Sequence, residues 1–224
     1  MVLDFDSTLV RVEALDELAR IALKDVDGRE ARLAQIEELT RQGMKGKLGF
    51  GESLSRRLEL FAAGQEQLNE LIGLLKREVT PSVARNAEWI REHAERIYVV
   101  SGGFREYIVP VVREFGIEAD HVVANTFVRD ESGRVTGCDR ANPLAHDGGK
   151  VRALKELGLD GRVVMVGDGY SDLVAREQGV ADVFVAFTEN VDRPAVALRA
   201  DLVAKSFDEV VNSDILAELK TARV

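Results

Sequence analysis

From Pro81 onward, short apolar runs alternate with amphipathic stretches. A helical pattern over 82–94 precedes "IYVV" (97–100), and another over 104–115 precedes "HVVA" (121–124). After the hairpin-like "DESGRVTG" come a helix over 149–157, "VVMV" (163–166), a helix over 171–178 and "VFVAF" (183–187). A strand near 201–204 and a helix near 208–220 close the series. Runs this short, apolar and rich in valine suit strands buried on both faces, and helices between successive strands impose parallel pairing. The expected fold class is α/β, a doubly wound parallel, Rossmann-like sheet. Pro110 removes a backbone donor inside 104–115 and is expected to kink or restart that helix.

Residues 2–5 form one more apolar run, ending in turn-prone Asp6, Ser7 and Thr8. Between it and the alternating part, apolar residues keep helical spacing: Leu15, Leu18, Ile21; Leu33, Ile36, Leu39; Leu54, Leu58, Phe61; Leu68, Leu71, Leu75. These predict four amphipathic helices. The first strand belongs with the later sheet, so the helices read as an insert: a core of 1–11 and 80–224, and a helical cap of 12–79. Glycines at 43, 46, 49 and 51 suggest a mobile turn within the cap.

Composition narrows the function classes. Thirty basic against thirty-nine acidic residues give a net charge of −9 with no dense Lys/Arg run, which argues against a nucleic-acid partner. No apolar stretch approaches the roughly 20 residues that span a bilayer. The single cysteine, Cys138, cannot form an intramolecular disulfide, and the N-terminus lacks a signal-peptide pattern, so a cytoplasmic location is expected. The sequence leaves monomer and homodimer open.

Ligands of an open parallel sheet gather outside the carboxyl ends of its strands. Three such ends are polar, small or acidic: "DFDST" (4–8), "SGGF" (101–104) and "GDGYSD" (167–172). Asp4 and Asp6 have period-two spacing and point into one crevice if strand geometry persists. Asp168 and Asp172 add two carboxylates, and four converging acids call for a hard divalent cation with oxygen ligands, Mg²⁺ above all. "SGGF", opening a helix, offers Ser101 and backbone N–H groups to an anion, and Lys150 after "HDGG" adds a fixed positive charge. Taken singly, each piece is also an ordinary turn, cap or surface charge. Their occurrence in order at element ends favours a phosphate site with a carboxylate nucleophile.

These four pieces resemble the haloacid dehalogenase-like hydrolases, in particular the phosphoserine phosphatase branch, and the helical insert falls where that family places its type-one cap. The resemblance implies that Asp4 is the nucleophile and Asp6 the general acid and base, with Mg²⁺ held by Asp4, Asp168 and the Asp6 carbonyl near Asp172. It also implies that Ser101, Gly102 and Lys150 bind the phosphoryl group. In the cap, "VEALDELA" and "MKGKLGFGESLSRRL" place Glu13 where the branch contacts a substrate ammonium and Arg57 where it clamps a carboxylate, under an apolar lid of Met44 and Phe50. The implied activity is Mg²⁺-dependent hydrolysis of O-phospho-L-serine, a small-molecule phosphate ester, in serine biosynthesis. Another small phosphate ester, phosphoryl transfer to an acceptor such as homoserine, and a non-enzymatic phospho-aspartate switch are the alternatives; the second acid, Asp6, argues against the switch. Two departures stand out. Ser171 replaces the branch's usual asparagine, and only three residues precede Asp4, so no upstream regulatory module is expected.

Overall fold

The computed structural model describes residues 1–44 and 47–216. Its strands are β1 (Val2–Leu3), β2 (Tyr98–Phe104), β3 (Val122–Asn125), β4 (Phe127–Arg129), β5 (Val135–Cys138), β6 (Val164–Gly167), β7 (Val183–Phe187) and β8 (Leu202–Ala204). Six form one sheet in the order β3-β2-β1-β6-β7-β8, with every neighbouring pair parallel. β4 and β5 make a separate antiparallel hairpin.

Helices α1 (Ala14–Ala22), α2 (Arg29–Met44), α3 (Phe50–Leu58) and α4 (Gln65–Arg77) lie between β1 and β2, followed by α5 (Pro81–Arg85) and α6 (Ala87–Glu92). α7 (Arg105–Val112) follows β2, and α8 (Gly149–Leu157) precedes β6. α9 (Tyr170–Glu177), α10 (Pro194–Ala197) and α11 (Phe207–Asn212) complete the series.

Successive strand residues point to opposite faces, and both faces are covered. Val2, Val100, Met165 and Phe184 pack against Leu154 of α8 and Leu173 of α9. Leu3, Val99, Val166 and Val185 pack on the other side with Ile90 of α6, Ile108 of α7 and Val210 of α11. This double cover is why the strands read as near-continuous apolar runs. The chain winds outward from β1 through β2 to β3, then returns past β1 to β6 and winds the other way. The reversal lies between β1 and β6, which puts a ligand crevice at their carboxyl ends.

The helical insert leaves and rejoins the sheet through two adjacent extended segments. Val10 and Val79 form an antiparallel bridge, the Arg11 N–H donates to the Glu78 carbonyl (2.8 Å), and the Thr80 N–H donates to the Leu9 carbonyl (3.0 Å). The insert's buried Leu18, Leu54, Leu68 and Leu71 continue the core on the α7 side of the sheet.

Several boundaries differ from the sequence expectation. β1 stops at Leu3, because the Asp4 carboxylate accepts the Phe5 N–H (2.8 Å) and turns the chain into a tight Phe5–Leu9 loop. The stretch 82–94 breaks at Asn86, whose side-chain amide donates to the Ser82 carbonyl and to Asp208, both at 2.8 Å. β2 runs on to Phe104, so "SGGF" ends a strand and does not open the helix, which starts at Arg105. Pro110 is accommodated within α7, which tightens into a 3-10 turn at Arg113–Phe115 and stops at Gly116, φ +75°. α10 was not foreseen, and α11 is shorter than the expected last helix; residues 217–220 of that expectation lie outside the described residues, as does Gly46 of the expected turn.

Candidate active site

At the crevice, Asp4 leaves β1 with its N–H still on the Val166 carbonyl (2.9 Å). Lys150 Nζ stands 2.8 Å from Asp4 Oδ1 and 2.6 Å from Asp172 Oδ1. It gets there because α8 begins hard against the preceding loop: a Cβ on Gly149 would lie 2.6 Å from the Pro143 carbonyl oxygen. Burial alone would discharge this lysine, but Asp172 and Asp4 outweigh it and hold Lys150 firmly protonated.

Asp172, fully buried in the first turn of α9, also accepts the Gly169 N–H (3.0 Å). Burial, then the neighbouring Asp4, raise its carboxyl pKa to about 7. Asp168 follows β6; burial pushes its carboxyl well above the usual range, against the pull of Arg193, whose Nη2 stands 2.9 Å from Oδ2. That contact is an ion pair without hydrogen-bond alignment, so Asp168 Oδ2 has no hydrogen-bond partner among the described residues. Asp4, Asp168 and Asp172 each place one carboxylate oxygen within 4.8 Å of the others, all buried. Fully ionised, the three carboxylates outnumber Lys150 and Arg193 by one charge, and the all-oxygen donor set with an orphaned acceptor fits a hard divalent cation.

Asp6 is held differently. Its Oδ1 accepts the Ala14 N–H (2.8 Å), tying it to the start of α1. Burial, then the Glu13 carboxylate, push its pKa well above the carboxylate range. Glu13 accepts the Ser7 hydroxyl (2.8 Å), and burial raises its pKa as well. Ser7 has φ +55°, the one non-glycine in the left-handed region among the described residues, so the loop pays backbone strain to bring Asp6 and Glu13 together.

Arg57 of α3 is 7% exposed. Its Nη1 donates to Asp16 (3.2 Å) and to Thr40 (3.1 Å), while Thr40 donates to Asp16 (2.9 Å). The expected clamp is therefore braced by α1 and α2, with part of its donor set already engaged. Ser101 and Gly102 stand at the end of β2, where the Ser101 hydroxyl accepts the Gly103 N–H (3.0 Å). The Phe50 ring covers Gly102 so closely that a Cβ there would lie 2.6 Å from its Cζ. The Phe50 N–H donates to Asp147 of the core. Met44 stands at the rim, 43% exposed, and its sulfur accepts from Arg193 Nη2 (3.4 Å). Of the expected lid, Phe50 closes over the site and Met44 borders it.

Asp4, Asp6, Glu13, Met44, Phe50, Arg57, Ser101, Gly102, Lys150 and Asp168 line one cavity of about 610 Å³. Asp172 lies behind Lys150. Residues about 150 apart in sequence thus converge on one space.

The sequence profile of the haloacid dehalogenase-like hydrolases matches residues 1–177. The chain belongs to this family. This haloacid dehalogenase-like hydrolase is similar to the chloroplastic phosphoserine phosphatase of Arabidopsis thaliana, 32% identical over 214 residues that cover 94% of this chain and 70% of the relative. A phosphoserine phosphohydrolase-like protein of Francisella tularensis shares the fold with a TM-score of 0.82 at 27% identity, covering 94% of this chain and 96% of the other. A phospho-aspartyl intermediate analogue of phosphoserine phosphatase gives 0.70 at 27% identity, covering 94% and 95%.

The hydrolase's site also holds residues that the sequence pattern did not flag. Asp16 sits in the first turn of α1, three residues after Glu13, which caps that helix. Thr40 follows the last leucine of the apolar face of α2 and Arg193 lies in a polar loop, where neither has a local signal. Tyr107 reads as one more apolar position of α7.

Proposed function

We propose that this hydrolase is a Mg²⁺-dependent phosphomonoesterase that converts O-phospho-L-serine to serine and phosphate in the cytoplasm. The observation that carries this reading is one cavity that joins the Asp4–Lys150 pair and Ser101 to Glu13 and Arg57 of the helical insert. Among the described residues no helix is long and apolar enough to cross a membrane.

Asp4 attacks phosphorus in line with the ester oxygen, and the P–O bond to serine breaks as the Asp4–phosphorus bond forms. Asp6 delivers its proton to the departing alkoxide, then takes one from the water that hydrolyses the aspartyl phosphate. The raised pKa of Asp6 supports the first half of that cycle. Lys150, the Ser101 hydroxyl and the Gly102 N–H stabilise the charge on the phosphoryl oxygens. Mg²⁺, held by Asp4, Asp168 and the Asp6 carbonyl with Asp172 behind, would supply the charge neutralisation that lets one anion attack another. Residues 12–79 act as the cap, in which Glu13 receives the substrate ammonium and Arg57 its carboxylate.

Phosphate release from O-phospho-L-serine, O-phosphothreonine and phosphoethanolamine, with Mg²⁺ and with chelator, tests this. Phosphoserine is expected to exceed phosphoethanolamine in kcat/KM by about tenfold or more, the value of a charge-assisted contact to the carboxylate. Equal rates on the three would contradict the amino-acid clamp.

A further inference from the structure

Two buried hydrogen-bond donors lining the cavity have no acceptor among the described residues: Arg57 Nε and the Tyr107 hydroxyl. Folded proteins keep few such orphans, because a buried donor without a partner forfeits its hydration for nothing. Asp168 Oδ2, the orphaned acceptor at the other end of the cavity, suits a cation. The two orphaned donors suit an anion.

Tyr107 lies in the first turn of α7, fully buried. Its ring is wedged among Phe5, Phe104 and Phe127 at centroid distances of 6.2, 6.1 and 6.3 Å, which fixes where the hydroxyl stands. The hydroxyl comes up beside Gly103, where a Cβ would lie 2.7 Å from the phenol oxygen and 3.2 Å from Ser101 Oγ. A phenylalanine would fill the same aromatic cage; the Phe104 N–H faces the phenol oxygen, but the phenol's own hydrogen has no acceptor among the described residues.

Burial, and the carboxylates of Asp6 and Glu13, push the phenol well above its ordinary pKa, so it is a donor at any working pH. Tyr107 lines the same cavity as Asp6, Arg57 and Glu13, the residues that surround the leaving group in the proposed reaction. There Arg57 has Nη1 committed to Asp16 and Thr40, and Nε unpaired. A carboxylate has about four lone-pair directions, more than the unpaired Nε can fill.

We propose that Tyr107 is a substrate-binding residue: its hydroxyl donates to one oxygen of the substrate carboxylate while Arg57 Nε donates to the same group. This rests on the phosphoserine reading and deepens it, making carboxylate recognition the work of a pair of donors that the free protein leaves unpaired.

The test compares wild type and Tyr107→Phe on O-phospho-L-serine and on phosphoethanolamine, which keeps the phosphate and ammonium but lacks the carboxylate, with thermal midpoints of both proteins. The variant is expected to lose about tenfold or more in kcat/KM on phosphoserine, mostly through KM, and several-fold less on phosphoethanolamine, with a midpoint equal to or above wild type. A lowered midpoint with equal losses on both substrates would show a structural residue and overturn the proposal. An unchanged substrate preference in the variant, with wild type still favouring phosphoserine, would overturn the Tyr107 role alone. No preference in wild type would remove the phosphoserine reading and the carboxylate pair together.

Discussion

Asp6 is chemically distinct from Asp4 through its surroundings alone. The Ala14 N–H occupies Oδ1, which leaves Oδ2 to carry the proton that burial and Glu13 favour. Asp6→Asn keeps the shape and removes the proton. Its kcat on phosphoserine is expected to fall by about 10²–10⁴-fold, and far less on p-nitrophenyl phosphate, whose leaving group departs without protonation. Steady-state rates on the two esters check this, and equal losses would remove Asp6 from proton transfer. The Asp4/Asp6 pair was legible in the sequence because two acids one residue apart at the end of an apolar run are a local pattern. Asp16 bracing Arg57 and Arg193 meeting Asp168 were not, because those contacts join separate elements whose relative placement no periodicity encodes.

Among the elements, short glycine-led junctions hold the site. Gly149 lets α8 start within touching distance of the Pro143–Leu144 backbone; a Cβ there would lie 2.6 Å from Pro143 O and 2.7 Å from Leu144 Cα. Backbone atoms cannot rotate aside, so Gly149→Ala must shift the helix start and Lys150 with it. The expected outcome is a loss of about 1–3 kcal/mol in stability together with lower kcat/KM, measured by denaturant unfolding and by kinetics. Wild-type values for both would show that the junction has slack. The elements themselves were readable where pattern and environment agree: β7 and α8 fall at 183–187 and 149–157 as expected. β1 reads longer than it is because Phe5 is buried like a strand residue although it lies in a turn.

For the whole molecule, the doubly wound architecture was legible from alternation, while the placing of the insert over the crevice was expected only through the family resemblance, since helical spacing says which face is buried but not against what. Asp4, Asp6, Glu13 and Asp168 line one cavity with Asp172 behind it, which has a consequence for stability. Asp172 titrates at about 7 in the folded protein against an ordinary 3.8, and Asp6, Glu13 and Asp168 are raised as well. The folded state therefore holds these protons more tightly than the unfolded chain. The stability that Asp172 contributes is complete below about pH 4 and lost as pH rises through about 7, and that of the other three is likewise lost as pH rises. Metal-free protein should lose thermal stability across that window, and Mg²⁺ should raise the midpoint more at about pH 8 than at about pH 5. Melting curves with Mg²⁺ and with chelator at both pH values check this; equal shifts would mean that these carboxylates do not hold the ion. The most direct test of the proposed chemistry is acid-quench peptide mass spectrometry of the protein turning over O-phospho-L-serine with Mg²⁺. A phosphoryl adduct on the peptide carrying Asp4, absent in Asp4→Asn along with turnover, is the expected result. Phosphate release without an adduct at Asp4, undiminished in that variant, would contradict it.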